Sequence, residues 1–308
     1  MRRVMTALPL LFSLVTMAAP AAGDSRAADD ALSARARDVL HRIAATDPGW
    51  VRIHAVEVLA AYGEGPSMRK IFLGEAKAAE ASPQRIGIWR VLAATSPTTA
   101  ERVAWIGRIE RVSLVPGDPD RLRALESLGK LHYILTGSSL QAARRLAAEA
   151  PPQDAPLPLW ALQLAGDSTA LERLGHLLAA KDPVARQRAA YALRWLRPDD
   201  PALLRRLARA ADNEPPGSVA YPFLVSAALS LNADPEQASF WQAKLERLAV
   251  GSSADARFEA SQALMPYCTV STLPLIAGLL DDPDNNTRVG AAWTILYARA
   301  HGVLSSQE

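Results

Sequence analysis

The sequence predicts an all-α chain built as a right-handed α-solenoid of about eight stacked helix pairs. Three observations predict it. A short motif recurs every 31 to 36 residues, Asp-Pro turns precede four of its copies, and helical stripes dominate where strand-like alternation is scarce.

The motif is Arg, two residues, a small or apolar residue, three residues, and a large apolar residue. It reads Arg52…Ala55…Leu59, Arg121…Ala124…Leu128, Arg186…Ala189…Leu193, Arg257…Ala260…Leu264 and Arg288…Ala291…Ile295. A looser copy runs Arg85…Ile88…Leu92. Two degenerate copies without Arg fill the remaining gaps, one from Ala155 (Pro158, Leu162) and one from Pro222 (Val225, Leu229). The small and large positions are i,i+4 neighbours on one helix face. The small one admits the next helix and the large one fills the space between layers.

Each unit also has a start signal and a partner helix. Asp47-Pro48, Asp118-Pro119, Asp182-Pro183 and Asp282-Pro283 stand before four copies. Proline ends the preceding helix and suits the first turn of the next, and Asp caps that turn. Partner helices show i, i+3, i+4, i+7 stripes, as in Leu171, Leu174, Leu177 and Leu178 or in Leu203, Leu204 and Leu207. Pro156, Pro158 and Pro222 in the degenerate copies predict a local kink.

The stretch Val51-Arg52-x-x-Ala55-Val56-x-x-Leu59-Ala60-x-Tyr62-Gly63 after an Asp-Pro turn resembles a HEAT repeat, of the short bacterial variety seen in phycobilisome-lyase-type proteins. The resemblance covers roughly residues 29–300. It implies a stacked helical array and leaves function open, because such repeats serve as scaffolds, adaptors, chaperones and lyase subunits.

Residues 1–23 read as a secretory signal peptide: Arg2 and Arg3, an apolar run from Val4 to Ala19, then small residues. The apolar stretch is short for a spanning helix and contains Pro9. The expected organisation is a cleaved signal over 1–23, repeats over 24–302 and a disordered tail over 303–308, with a periplasmic or secreted location. The chain carries 34 basic and 32 acidic residues, and Arg2 and Arg3 account for the excess of two. The neutral mature chain argues against a nucleic-acid binder. One cysteine among 308 residues excludes an internal disulfide framework and a multi-cysteine zinc site.

No motif for catalysis, phosphate or dinucleotide binding is present. The five histidines share no ligand spacing. Cys268 reads as a small packed residue, and Gly63 and Gly137 read as helix-ending turns. The expectation is therefore a non-catalytic chain with no cofactor and no metal. Arg52, Arg121, Arg186, Arg257 and Arg288 read as a structural ladder, bonded to the turn residues Asp47, Asp118, Asp182 and Asp282 or to carbonyls of their own or the next unit. The competing reading is a basic track.

The second helix of each pair lines the concave face, and positions five and nine beyond the unit start point toward it. Those positions are polar in the first three units and apolar or aromatic in the later ones. Trp160, Tyr191 and Trp195, flanked by Arg188 and Arg194, then Trp293 and Tyr297, form a candidate partner-binding strip. The same aromatics could instead fill the packing between repeats, and the sequence leaves both readings open. The last unit is apolar on its outer side (Leu275, Ile276, Leu279, Leu280), where terminal repeats are normally polar, which predicts docking or weak self-association there. The expected function is a scaffold or adaptor that binds a protein or peptide along the concave face. The rival readings are a lyase- or chaperone-type subunit, or a binder of an acidic polymer through Arg90, Arg123, Lys130, Arg188 and Arg194.

Overall fold

A computed structural model describes residues 23–303 except residue 233, with side chains described from residue 29. The predicted signal segment lies outside the described residues but for Gly23, where the first helix begins. The described residues form helices and turns, with no strand among them.

Among the described residues, sixteen α-helices follow one another. The odd-numbered ones are α1 (Gly23–Thr46), α3 (Gly65–Ala76), α5 (Thr99–Leu114), α7 (Gly137–Glu149), α9 (Ala170–Leu177), α11 (Pro201–Asn213), α13 (Pro235–Ala249) and α15 (Leu273–Gly278). The even-numbered ones are α2 (Trp50–Leu59), α4 (Arg85–Ala94), α6 (Arg121–Lys130), α8 (Pro156–Leu164), α10 (Pro183–Leu196), α12 (Tyr221–Leu231), α14 (Ala254–Ala263) and α16 (Asn285–Ala300). All eight unit starts read from the sequence fall in or just before even-numbered helices, including the two degenerate copies.

The even-numbered helices pack on one another in sequence, from α2 to α16, and the odd-numbered ones back them. The succession does not end at α16. That helix packs on α2 and on α1, so the eight pairs close into a ring. Arg35 on α1 reaches Asp281 at 2.5 Å, Arg299 pairs with Asp30, and Asn285 donates to Asp47 at 3.0 Å. The ring corrects the expectation of an array with two free ends. It also accounts for the apolar last unit: Ile276, Leu280, Ile295 and Leu296 are buried in the same continuous core as Leu40 and Ile43 of α1. That apolar surface is covered from within the chain.

The turn chemistry is uniform. Asp47, Asp118, Asp182 and Asp282 each accept from the backbone N–H two residues on, at 2.8–2.9 Å. Each fixes a tight turn through its own side chain. Asp182 thereby caps α10 directly, and Asp284 caps α16. Pro156 and Pro222 occupy the first or second position of α8 and α12, with Pro158 two residues further on. No intrahelical donor is needed that early, so the expected kink is absent. Gly63 does end a helix, with φ +102°, whereas Gly137 begins α7 and does not end one. Val303, expected in a disordered tail, packs beside Cys268 and Ala298.

The arginine ladder takes a form that the turn Asp residues alone did not suggest. Arg52 donates to the Ala44 carbonyl behind it and to Glu75 of the next pair. Arg186 likewise joins the Ala180 and Lys181 carbonyls to Glu214, and Arg257 joins Gly251 and Ser252 to Asp282. Arg85 clamps Asp118 and Asp120 ahead of it. Each guanidinium thus ties its own turn, the following unit, or both. Asp47 and Asp182 take no arginine. Arg121 bonds only the Ser113 carbonyl, and Arg288 turns back to Asn285 within its own helix.

Candidate ligand site in the ring lumen

Closing the ring turns the concave face into the wall of a cavity of about 810 Å³, lined from all eight even-numbered helices. Its wall has two layers, set by position along each unit.

The outer layer lies one or two positions beyond the unit start, at the mouth where the lining helices begin. Leu122, Leu157, Phe223, Phe258 and Val289 form an apolar collar there. Arg123, Gln187 and Arg188 share this layer. Arg123 lies over the Trp50 ring, 4.5 Å from its centroid, and has no hydrogen bond or carboxylate partner among the described residues. Arg188 spends one guanidinium nitrogen on Asp154 (2.7 Å) and the Gln153 carbonyl (2.9 Å).

The deeper layer is a hydrogen-bonded girdle. Glu57 on α2 accepts twice from Arg90 on α4, at 2.5 and 3.0 Å, and Arg90 continues to Ser127 on α6 at 3.0 Å. Glu126 on α6 pairs with Lys130 at 2.8 Å and accepts from the Tyr191 hydroxyl on α10 at 2.8 Å. Arg194 on α10 bonds Ser226 on α12 at 2.6 Å and Glu259 on α14. Two of these links pass across an intervening helix. Glu126–Tyr191 spans α8 and Arg194–Glu259 spans α12. Those are the two lining helices without the opening Arg, and they sit back behind the bridges. Their fifth positions, Trp160 and Ala227, are 1% and 0% exposed.

The girdle sets the charge states. Burial alone would raise the Glu57 carboxyl, but the Arg90 charge and hydrogen bonds outweigh it and hold the group below its ordinary value. Burial likewise works against ionised Glu126, yet Lys130 and Arg90 bring it down to about 2. Burial and the Glu126 charge both push the Tyr191 phenol up, so it stays a donor. Burial holds His54 below its ordinary value, and its ring stacks on Phe258.

Comparison with known protein families and with curated proteins returns no match.

Of the residues expected on the concave strip, Tyr191, Trp195, Arg188, Arg194 and Trp293 line the cavity. Trp160 does not. It is a core residue, stacked on Trp195 at 5.8 Å and pressed against Gly129, where a Cβ would lie 2.7 Å from its ring. Tyr297 also lies off the lining and stacks on His301. The proposed polyanion track loses Arg90, Lys130 and Arg194, which are committed to Glu57, Glu126 and Glu259. Sequence reasoning missed the mouth residues Gln187, Phe223 and Phe258, because only positions five and nine were projected inward. Their signal was available one and two positions beyond each unit start. Among the described residues, no group of three or more His, Cys, Asp or Glu side chains could hold a metal ion, and no helix is long and apolar enough to cross a membrane.

Proposed function

We propose that this chain is a non-catalytic binding protein that receives its ligand inside the ring. The observation that carries the reading is the mouth. A cavity of about 810 Å³ falls in the range of pockets that enclose small molecules, and at its collar Leu122, Phe223 and Phe258 stay only partly buried. That volume suits the chain end of a protein or peptide partner, or a free molecule of similar size, and is too small for a folded domain. The scaffold or adaptor role expected from the repeats thus becomes capture of an end within a lumen, in place of a track along an open groove. The signal-like residues 1–23 support a periplasmic or secreted setting, and the Arg-led units support kinship with HEAT repeats.

The test is binding of a neutral fluorescent aromatic, N-phenyl-1-naphthylamine. Saturable 1:1 binding to the wild-type protein is expected, and Val184→Trp, which places an indole on the lining at the start of α10, abolishes it. Binding that is absent, or indifferent to that substitution, contradicts the reading.

A further inference from the structure

The polar groups of the lumen divide into two sets. In the girdle, donors and acceptors satisfy one another: Arg90 with Glu57, Lys130 with Glu126, Arg194 with Glu259. At the mouth, capacity is left over. Among the described residues, Arg123 makes no hydrogen bond and rests on the Trp50 face, the Gln187 amide makes none, and Arg188 bonds through a single nitrogen. The unused capacity is almost entirely donor, since a guanidinium cannot accept.

The charge balance points the same way. The lining holds six basic side chains (Arg90, Arg102, Arg123, Lys130, Arg188, Arg194) and three acidic ones (Glu57, Glu126, Glu259). Asp154 answers Arg188 from behind, and Arg102 bonds the Ala93 and Leu131 carbonyls at the far ends of α4 and α6. Arg123 is answered by no carboxylate among the described residues. The surplus is local, because the chain without Arg2 and Arg3 carries 32 bases and 32 acids. Beside the free donors stand Leu122 and Leu157, with Phe223 and Phe258 elsewhere around the collar.

We propose that the ligand is an organic acid: an aromatic or aliphatic body seated against the partly exposed collar residues Leu122, Phe223 and Phe258, and a carboxylate held by Arg123, Gln187 and Arg188. The inference rests on the lumen reading above and sharpens it. A planar carboxylate matches the parallel N–H pairs of a guanidinium. The C-terminus of a peptide ending in a large apolar residue and a free aromatic acid offer the same chemistry.

The test compares two probes with one ring system, the anionic 1-anilinonaphthalene-8-sulfonate and the neutral N-phenyl-1-naphthylamine. The wild-type protein should bind the anion about tenfold more tightly. The exposed Arg123→Gln, alone and with Arg188→Gln, should remove that preference and leave the neutral probe unchanged, while Arg123→Lys keeps part of it. Thermal melts of each variant check that the fold is retained. N-acetyl-phenylalanine and a hexapeptide ending in Leu-Phe should displace the anionic probe as free acids and fail as amides; which of the two displaces it better separates a small acid from a chain end. Equal affinity for both probes, or an anion preference that survives the double substitution, overturns the carboxylate assignment while the lumen reading stands. Loss of neutral-probe binding in Val184→Trp checks that reading separately. A steep fall with salt, beyond what two arginines explain, would mark a polyanion ligand and also overturn the assignment.

Discussion

The Tyr191 hydroxyl donates a 2.8 Å hydrogen bond to Glu126, joining α10 to α6 over the top of α8. The residues are 65 apart in sequence. The bond closes the girdle on that side of the lumen and covers Trp160. Tyr191→Phe should cost about 1–2 kcal/mol by chemical denaturation. A double-mutant cycle with Glu126→Gln should return a coupling of about 1 kcal/mol. Additive effects would show that the two side chains do not interact in solution.

Trp160 is a packing residue, and its substitution reads out as stability. Trp160→Ala should cost about 3–5 kcal/mol. Gly129→Ala should cost about 1–3 kcal/mol through collision with the same indole. Both effects belong to the fold, so the melting temperature drops for each. An unchanged melt for Trp160→Ala would return Trp160 to the exposed strip.

Arg186 and Glu214 test the ladder. The Glu214 side chain is 4% exposed and takes two bonds at 2.6–2.7 Å from Arg186, with Ser218 also beside it. Arg186→Met strands that carboxylate and should cost about 3–5 kcal/mol, whereas replacing both partners by apolar residues of similar size should recover much of the loss. Equal stability of the single and double variants would contradict the pairing.

Acid should unfold the ring through its girdle. Glu126 has a folded value of about 2 against an ordinary 4.5, and Glu57 is shifted in the same direction. A carboxylate depressed in the folded state stabilises it fully above the unfolded value. That stability is lost as pH falls through the folded one. Unfolding free energy should therefore decline between about pH 4.5 and 2, and Glu126→Gln should flatten the decline. A profile identical in the variant would remove Glu126 as its source.

The sequence carried the helical units and hid their closure. Arg52, Arg121, Arg186, Arg257 and Arg288 mark the lining helices because one guanidinium per unit has the same local task, so the signal repeats. The copies at Ala155 and Pro222 lack the Arg and follow from the spacing of their neighbours; their helices, α8 and α12, are also the two that sit behind bridges supplied by neighbouring helices. Closure depends on contacts such as Arg35–Asp281, separated by 246 residues, which no local pattern encodes. The apolar last unit was the one trace of it, visible as a face without a partner. The sequence leaves Trp160 between strip and core, because helical projection assigns a side chain to a face and is blind to what Tyr191 and Glu126 lay across it.

The ring itself is tested by the distance between α1 and α16. An open stack of eight pairs at about 10 Å per layer would separate its first and last units by roughly 70 Å. Spin labels at Arg35→Cys and Asp281→Cys, in a Cys268→Ser background, report that distance by pulsed electron resonance. The two native side chains touch at 2.5 Å, so a closed ring gives a narrow distribution below about 20 Å, and a broad one near 70 Å would contradict both the ring and the lumen it encloses.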